Sequence, residues 1–147
     1  MSLVKNPISL MSTLLWVGFV SAISFMEAWL KFRAPGITVP MGLGIGRLVF
    51  EALNKVEWVF AIAILISRIV SKENWASPKL IAFAIALLLL IIQTAWLLPL
   101  LDARAELIIH VHDLPASNHH FYYVAMEIVK VTSLIIFAIS HFKSVEL

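Results

Sequence analysis

From Leu80 to Ile92 the chain carries no polar side chain, and only Gln93, Thr94 and Pro99 interrupt the apolar pattern before Asp102. No other feature constrains the fold as strongly. A lipid hydrocarbon core about 30 Å thick takes about 20 predominantly apolar residues of helix, and this segment supplies them. Composition agrees: 61% of the 147 residues are hydrophobic and 14% are charged, against about 25% charged in a soluble domain. A soluble core could not absorb this much apolar surface in so short a chain, whereas lipid can. Five Gly and six Pro leave no disordered or collagenous reading.

Three more segments have the same character, so the expected fold is all-α, an integral membrane four-helix bundle forming one domain over 1–147. The expected helices cover 10–31, 43–69, 79–105 and 119–141. The third can continue as helix through Ala105 and His110. Pro35-Gly36 and Pro40 break the chain after the first helix, residues 72–78 form a polar turn, and Ser117 or Asn118 suits an N-cap for the last helix. Connections of roughly 8–15 residues favour an up-down-up-down order. Lys5 is followed by a charge-free stretch to Met26. That stretch is long for a signal peptide and lacks a small-x-small cleavage site before a polar start, so it reads as a retained helix.

Lys5, Arg68, Lys72, Lys79 and Lys143 fall on one side of such a bundle, and Lys31, Arg33, Arg47 and Arg104 on the other. The positive-inside rule then places both termini in the cytoplasm, with a plasma or inner membrane as the location. The absence of cysteine removes disulfides, thiolate nucleophiles and Cys-ligated metal. A formal charge of +2 without a dense basic block argues against nucleic acid as a partner. Membrane lipids are the expected partners. A homo-oligomer stays open beside the single bundle.

Helices one and three end on the side where two and four begin, so most polar groups gather toward one membrane face. Glu27, Glu51, Asn54, Lys55, Glu57, Asp102, Arg104, Glu106, His119, His120, Glu127 and Lys130 all lie there. The opposite halves, Val59–Ser67, Ile81–Ile92 and Val131–Ser140, hold no ionisable residue. Glu57 and Glu127 are deepest and should face the bundle interior, since charge at membrane depth rarely faces lipid. Arg47, Glu51 and Asn54 recur at i, i+4, i+7, and His120, Tyr123, Glu127 and Lys130 at i, i+3, i+7, i+10, so each set forms a stripe. Gln93 should face the bundle too.

Four readings of these groups compete. Inward Glu and His can bind metal in a helical bundle. The candidate ligands are Glu27, Glu57, Asp102, Glu106, His110, His120 and Glu127, with His112 and His119 nearby. Such donors suit iron, manganese or zinc, and oxidation of a lipid-like substrate would be the reaction class. The Glu-x-x-His signature is absent: Glu106 and His110 are four apart, and His120 and Glu127 seven. The second reading is a transport or proton path, against which stands the apolar half of the bundle. The third is a site for a lipophilic small molecule, lined by Trp16, Trp29, Trp58, Trp96, Phe25, Phe121, Tyr122 and Tyr123, several of which equally suit interfacial anchoring. The fourth is structural: Glu57 pairs with Lys130, and Glu127 with Lys55 or Arg47, to hold the bundle.

Gly42, Gly44 and Gly46 form a Gly-x-Gly-x-Gly run with no preceding strand, so no nucleotide site follows. Close helix packing explains it better. Contact of a lipid phosphate with this helix start, Arg47, Lys31 and Arg33 is a further option. His near Asp113 does not make a catalytic triad.

Trp16 to Phe25, Ala95-Trp96-Leu97-Leu98-Pro99 and Phe121-Tyr122-Tyr123 resemble a poorly characterised family of small four-helix membrane proteins, which includes a human transmembrane protein associated with cisplatin resistance. In that family an asparagine and a glutamate flank the tryptophan and the proline. Here Thr94 and Leu98 stand at those places. The resemblance implies four helices and no particular activity.

Overall fold

Asn6 and Pro7 open the first helix. In the computed structural model, which describes residues 4–75, 77–111 and 118–142, the Asn6 side chain accepts a hydrogen bond from the Ser9 backbone N–H at 3.1 Å. Pro7 sits where a missing N–H costs nothing. Helix α1 runs over Pro7–Arg33. It tightens to a 3₁₀ turn at Lys31–Arg33 and is followed by Pro35 and by Gly36, whose φ of +83° suits glycine. Helix α2 spans Val39–Val70. Thr38 caps it, accepting from the Met41 N–H at 3.4 Å. Pro40 therefore does not break the chain: it occupies the first helical turn, where proline is tolerated, and α2 starts before the expected Leu43. Lys72, at φ +48°, follows its end.

Helix α3 covers Leu80–His110 and α4 covers His119–Ile139. The continuation of the third helix to His110 holds. Asn118 precedes α4 without making a side-chain cap bond. The expected sites at His112, Asp113, Ser117 and Lys143 lie outside the described residues. The chain is all-helical, 85% helix, with no strand among the described residues. Three helices, α1, α3 and α4, are long and apolar enough to cross a membrane. α2 is the longest, at 32 residues, but Arg47, Glu51, Lys55, Glu57 and Arg68 interrupt its apolar character.

Each helix packs on the next in sequence, and α4 closes back on α1. The core between them is built from Trp16, Val20, Leu53, Ala61, Ile64, Phe83, Ala86, Leu90, Leu134 and Phe137. Phe83 and Phe137 join α3 to α4 with ring centroids 5.2 Å apart. Between apolar helices in lipid such contacts act through close van der Waals packing rather than through transfer from water, and this layer supplies that packing.

One end of the core is closed by a polar latch. Asn6 accepts from the Ser67 hydroxyl at 2.8 Å and donates to Glu73 at 2.9 Å. His141 lies 2.9 Å from the Ser9 hydroxyl, and the Lys5 N–H donates to the His141 carbonyl at 3.1 Å. Arg68, also buried, pairs with Glu73 at 2.6 Å. The halves expected to lack ionisable residues do lack them, yet two buried charged or titratable side chains, Arg68 and His141, stand just beyond their ends. The other end of the core faces the candidate site.

Candidate functional site: a buried ion cluster beneath a cavity

Lys130 is buried completely, as is Glu127, and Glu57 is 2% exposed. All three belong to one cluster. The Lys130 ammonium pairs with Glu57 and, at 2.8 Å, with Glu127. Its third donor goes to the Gln93 side-chain oxygen at 2.6 Å. Three acceptors around one nitrogen match the three N–H donors of an ammonium; a neutral amine has only two. The Gln93 amide donates in turn to Glu127 at 2.7 Å. Trp16 Nε1 donates to Glu57 at 2.8 Å, and the Ser24 hydroxyl approaches Glu127 at 3.4 Å. Every helix contributes: Trp16 and Ser24 from α1, Glu57 from α2, Gln93 from α3, Glu127 and Lys130 from α4.

Two of these contributions depend on irregular helix. α1 widens to π-helix over Ser21–Glu27 and α3 over Gln93–Leu97. Such bulges shift the side-chain register and recur at functional sites. On α3 the cause is visible in the sequence. Pro99 has no N–H to give to the carbonyl four residues earlier, and its ring crowds that carbonyl, which belongs to Ala95 inside the π segment. On α1 the sequence offers no proline to account for the bulge. Both segments border the cluster, and each supplies one of its polar groups, Ser24 or Gln93.

Above the cluster opens a cavity of about 570 Å³. Phe32, Leu43, Phe50, Leu98 and Leu101 give it apolar walls; Lys31, Arg47, Glu51, Asn54, Thr94, Asp102, His120 and Tyr123 give it polar ones. Thr94 accepts from Asn54 at 2.9 Å and from Trp58 at 3.0 Å, clasping α2 to α3. Gly42 and Gly46 let the end of α1 lie against α2: a Cβ at Gly42 would run into the Phe32 ring, and one at Gly46 would stand 3.0 Å from the Lys31 nitrogen. Tyr123 joins the two levels. It lines the cavity, and its hydroxyl faces Ser24 and Glu127, one helical turn below.

At the rim, Arg47 reaches across to α3. It binds Asp102 through two nitrogens, one contact measuring 3.1 Å, and also pairs with Glu106. Glu106 meets His110 at 3.0 Å. Lys31 pairs with Glu27 at 3.1 Å and Lys55 with Glu51 at 2.7 Å.

No family model, curated protein or solved structure matches the chain. The site must therefore be read from its own geometry.

The seven acids and histidines expected around a metal do not converge. Glu57 and Glu127 meet, but the Lys130 ammonium stands between them, where a metal would have to be. Asp102 and Glu106 are engaged by Arg47, with His110 attached to Glu106 alone. Glu27 is paired with Lys31, and His120 lines the cavity. Among the described residues no group of three or more His, Asp or Glu side chains is placed to hold a metal ion. The expected pairing of Glu127 with Lys55 or Arg47 is replaced by Lys130, because Lys55 and Arg47 point to acids nearer the rim. The phosphate option at the start of α2 meets the same obstacle: Lys31 and Arg47 already hold carboxylates, and Arg33 lies 5.7 Å from the Trp29 ring centre. Of the aromatic residues expected in a ligand site, only Tyr123 lines the cavity. Trp16 is core, while Trp29, Trp96, Phe121 and Tyr122 are exposed.

Other expectations hold. Glu57 pairs with Lys130, and Gln93 faces inward. The Arg47–Glu51–Asn54 stripe forms one cavity wall. The α4 stripe runs from His120 and Tyr123 at the cavity down to Glu127 and Lys130 in the cluster. The sequence does not single out Trp16 or Ser24 as cluster members: α1 also carries Ser9, Ser12, Thr13 and Ser21, so one further serine is no signal.

Proposed function

We propose that the chain is an integral membrane protein whose helices run up-down-up-down across a plasma or inner membrane, with both termini cytoplasmic, and that its cavity binds a lipophilic small molecule carrying a polar head. The observation that carries the reading is the cavity itself: about 570 Å³, within the roughly 300–1,000 Å³ range of small-molecule sites, with apolar walls from Phe32, Leu43, Phe50, Leu98 and Leu101 and polar groups beside them that include the Asn54–Thr94 clasp and the Arg47–Asp102 rim pair. Membrane insertion is supported by the outer surface. Met11, Leu14, Leu15, Ile62, Ile66, Ile81, Leu88, Ile135 and Ile136 are all exposed, which suits lipid rather than water. Exposed Trp29, Trp96 and Tyr122 near the cavity end, and Trp75 and Phe142 near the latch end, fit two interfacial belts. No metal or redox step enters this reading, because the acids are drawn to Lys130, Arg47, Lys31 and Lys55 rather than gathered around a common centre.

Ala105 lines the cavity and is 8% exposed, so Ala105→Phe should fill space without removing a charge. Organic extracts of the protein, purified under mild detergent, are compared by mass spectrometry. Wild type should retain a lipid-like molecule near one per chain, and Ala105→Phe and Asn54→Leu should lose at least half of it. Equal retention in all three proteins would defeat the cavity assignment.

A further inference from the structure

The buried cluster holds two carboxylates and one ammonium. Lys130 uses all three of its donors on Glu57, Glu127 and Gln93, so it is charged. Two ionised glutamates would then leave one uncompensated negative charge among side chains that are all fully or almost fully buried. The remaining groups facing them are neutral: Trp16 and Ser24 from α1, Gln93 from α3, Tyr123 from α4. Toward the rim, Lys31–Glu27 and Lys55–Glu51 are matched pairs, Arg47 holds Asp102 and Glu106, and His120 lines the cavity; none of these gives the cluster a second cation. A buried charge without a counter-ion takes up a proton instead.

We propose that Glu57, Glu127 and Lys130 form a proton-binding site, occupied at neutral pH, that exchanges its proton with the cavity through Tyr123. Tyr123 is a wall residue of the cavity, and its hydroxyl faces Ser24 and Glu127 in the cluster. A proton entering from cavity water binds the phenol oxygen as that oxygen releases its own hydrogen to Glu127; the phenol ends neutral and the cluster gains one proton. Beneath the cluster lie Leu90, Leu134 and Phe137, and the buried Thr13 hydroxyl there donates to the Ser9 carbonyl rather than to the cluster. The site therefore loads and unloads from one side only. It is a proton store that a ligand in the cavity can sense, not a through-channel. This inference rests on the charge count and the burial, so it stands whether or not the cavity holds a lipophilic molecule.

Infrared spectroscopy of the purified protein in lipid nanodiscs tests it. Wild type should show the C=O band of a protonated carboxyl group at neutral pH, shifting on transfer to heavy water. Glu57→Gln and Glu127→Gln should each abolish that band, because either change leaves one carboxylate balanced by one ammonium. Tyr123→Phe should keep the band and slow its isotope shift at least tenfold. Absence of the band in wild type would overturn the proton site even if neither glutamine variant folds, as would a band that survives in both of them. An isotope shift as fast in Tyr123→Phe as in wild type would overturn the Tyr123 route.

Discussion

The molecule contains the same device twice, in two different surroundings. At the rim one cation, Arg47, holds two carboxylates, Asp102 and Glu106. In the bundle centre one cation, Lys130, holds Glu57 and Glu127. The rim device joins the neighbouring helices α2 and α3, the central one ties α4 to α2 across the bundle, and each sets two carboxylates against one cation. The rim side chains are 30%, 54% and 49% exposed, while those of the central cluster are 0–2% exposed. Water and salt can balance the rim charge. Nothing of that kind reaches the centre. Equal stoichiometry thus has unequal consequences: at the rim a fastening tolerant of change, in the centre a group that dictates charge state and stability.

Removing the central cation should give the largest effect. Lys130→Met leaves two buried carboxyl groups with no counter-ion, and breaking one partner from a buried ion pair costs about 3–5 kcal/mol. Denaturant unfolding in detergent should show a loss of that order. The triple variant Glu57→Gln/Glu127→Gln/Lys130→Met carries no charge and should recover more than half of it, because a fully neutral replacement of a buried triad is often tolerated. A single variant as stable as wild type, or a triple variant no better than the single, would break the comparison from the buried side.

Much of this arrangement is legible in the sequence because helices impose a period. The Arg47–Glu51–Asn54 and His120–Tyr123–Glu127–Lys130 spacings mark stripes that the fold turns inward, and Gln93 stands out against the apolar run before it. Local periodicity says which way a side chain points along its own helix. It does not say which partner waits across the gap. That is why seven acids and histidines could be read as one metal set, although two meet around Lys130, two around Arg47 with His110 beside Glu106, and Glu27 and His120 stand elsewhere. It is also why Trp16 reads as a generic aromatic until Glu57 is seen to accept its N–H. The π segment on α1 has no proline to announce it. Pro40 misleads for a different reason: proline both ends helices and opens them, and only the Thr38 cap decides which.

An intermediate effect should come from the neutral member of the cluster. Gln93 receives the third Lys130 hydrogen bond and passes one to Glu127. Gln93→Leu keeps the volume, removes no charge, and leaves one ammonium donor unsatisfied. A buried donor without its partner costs about 1–3 kcal/mol, so the same unfolding measurement should place this variant between wild type and Lys130→Met. A loss as large as that of Lys130→Met would mean that hydrogen bonding, rather than charge, holds the centre together.

The smallest effect belongs at the rim. Arg47→Gln removes the shared cation from Asp102 and Glu106, but both acids remain half in solvent, where counter-ions can replace it. Its unfolding midpoint should sit close to that of wild type, and the small difference should shrink further as salt is raised. The central variants should not respond to salt in this way, since ions do not reach their carboxyl groups. The decisive observation is thus the salt dependence more than the size of the loss. If Lys130→Met were rescued by salt as readily as Arg47→Gln, the centre would be open to water, and the proton held by Glu57 and Glu127 would lose its physical cause.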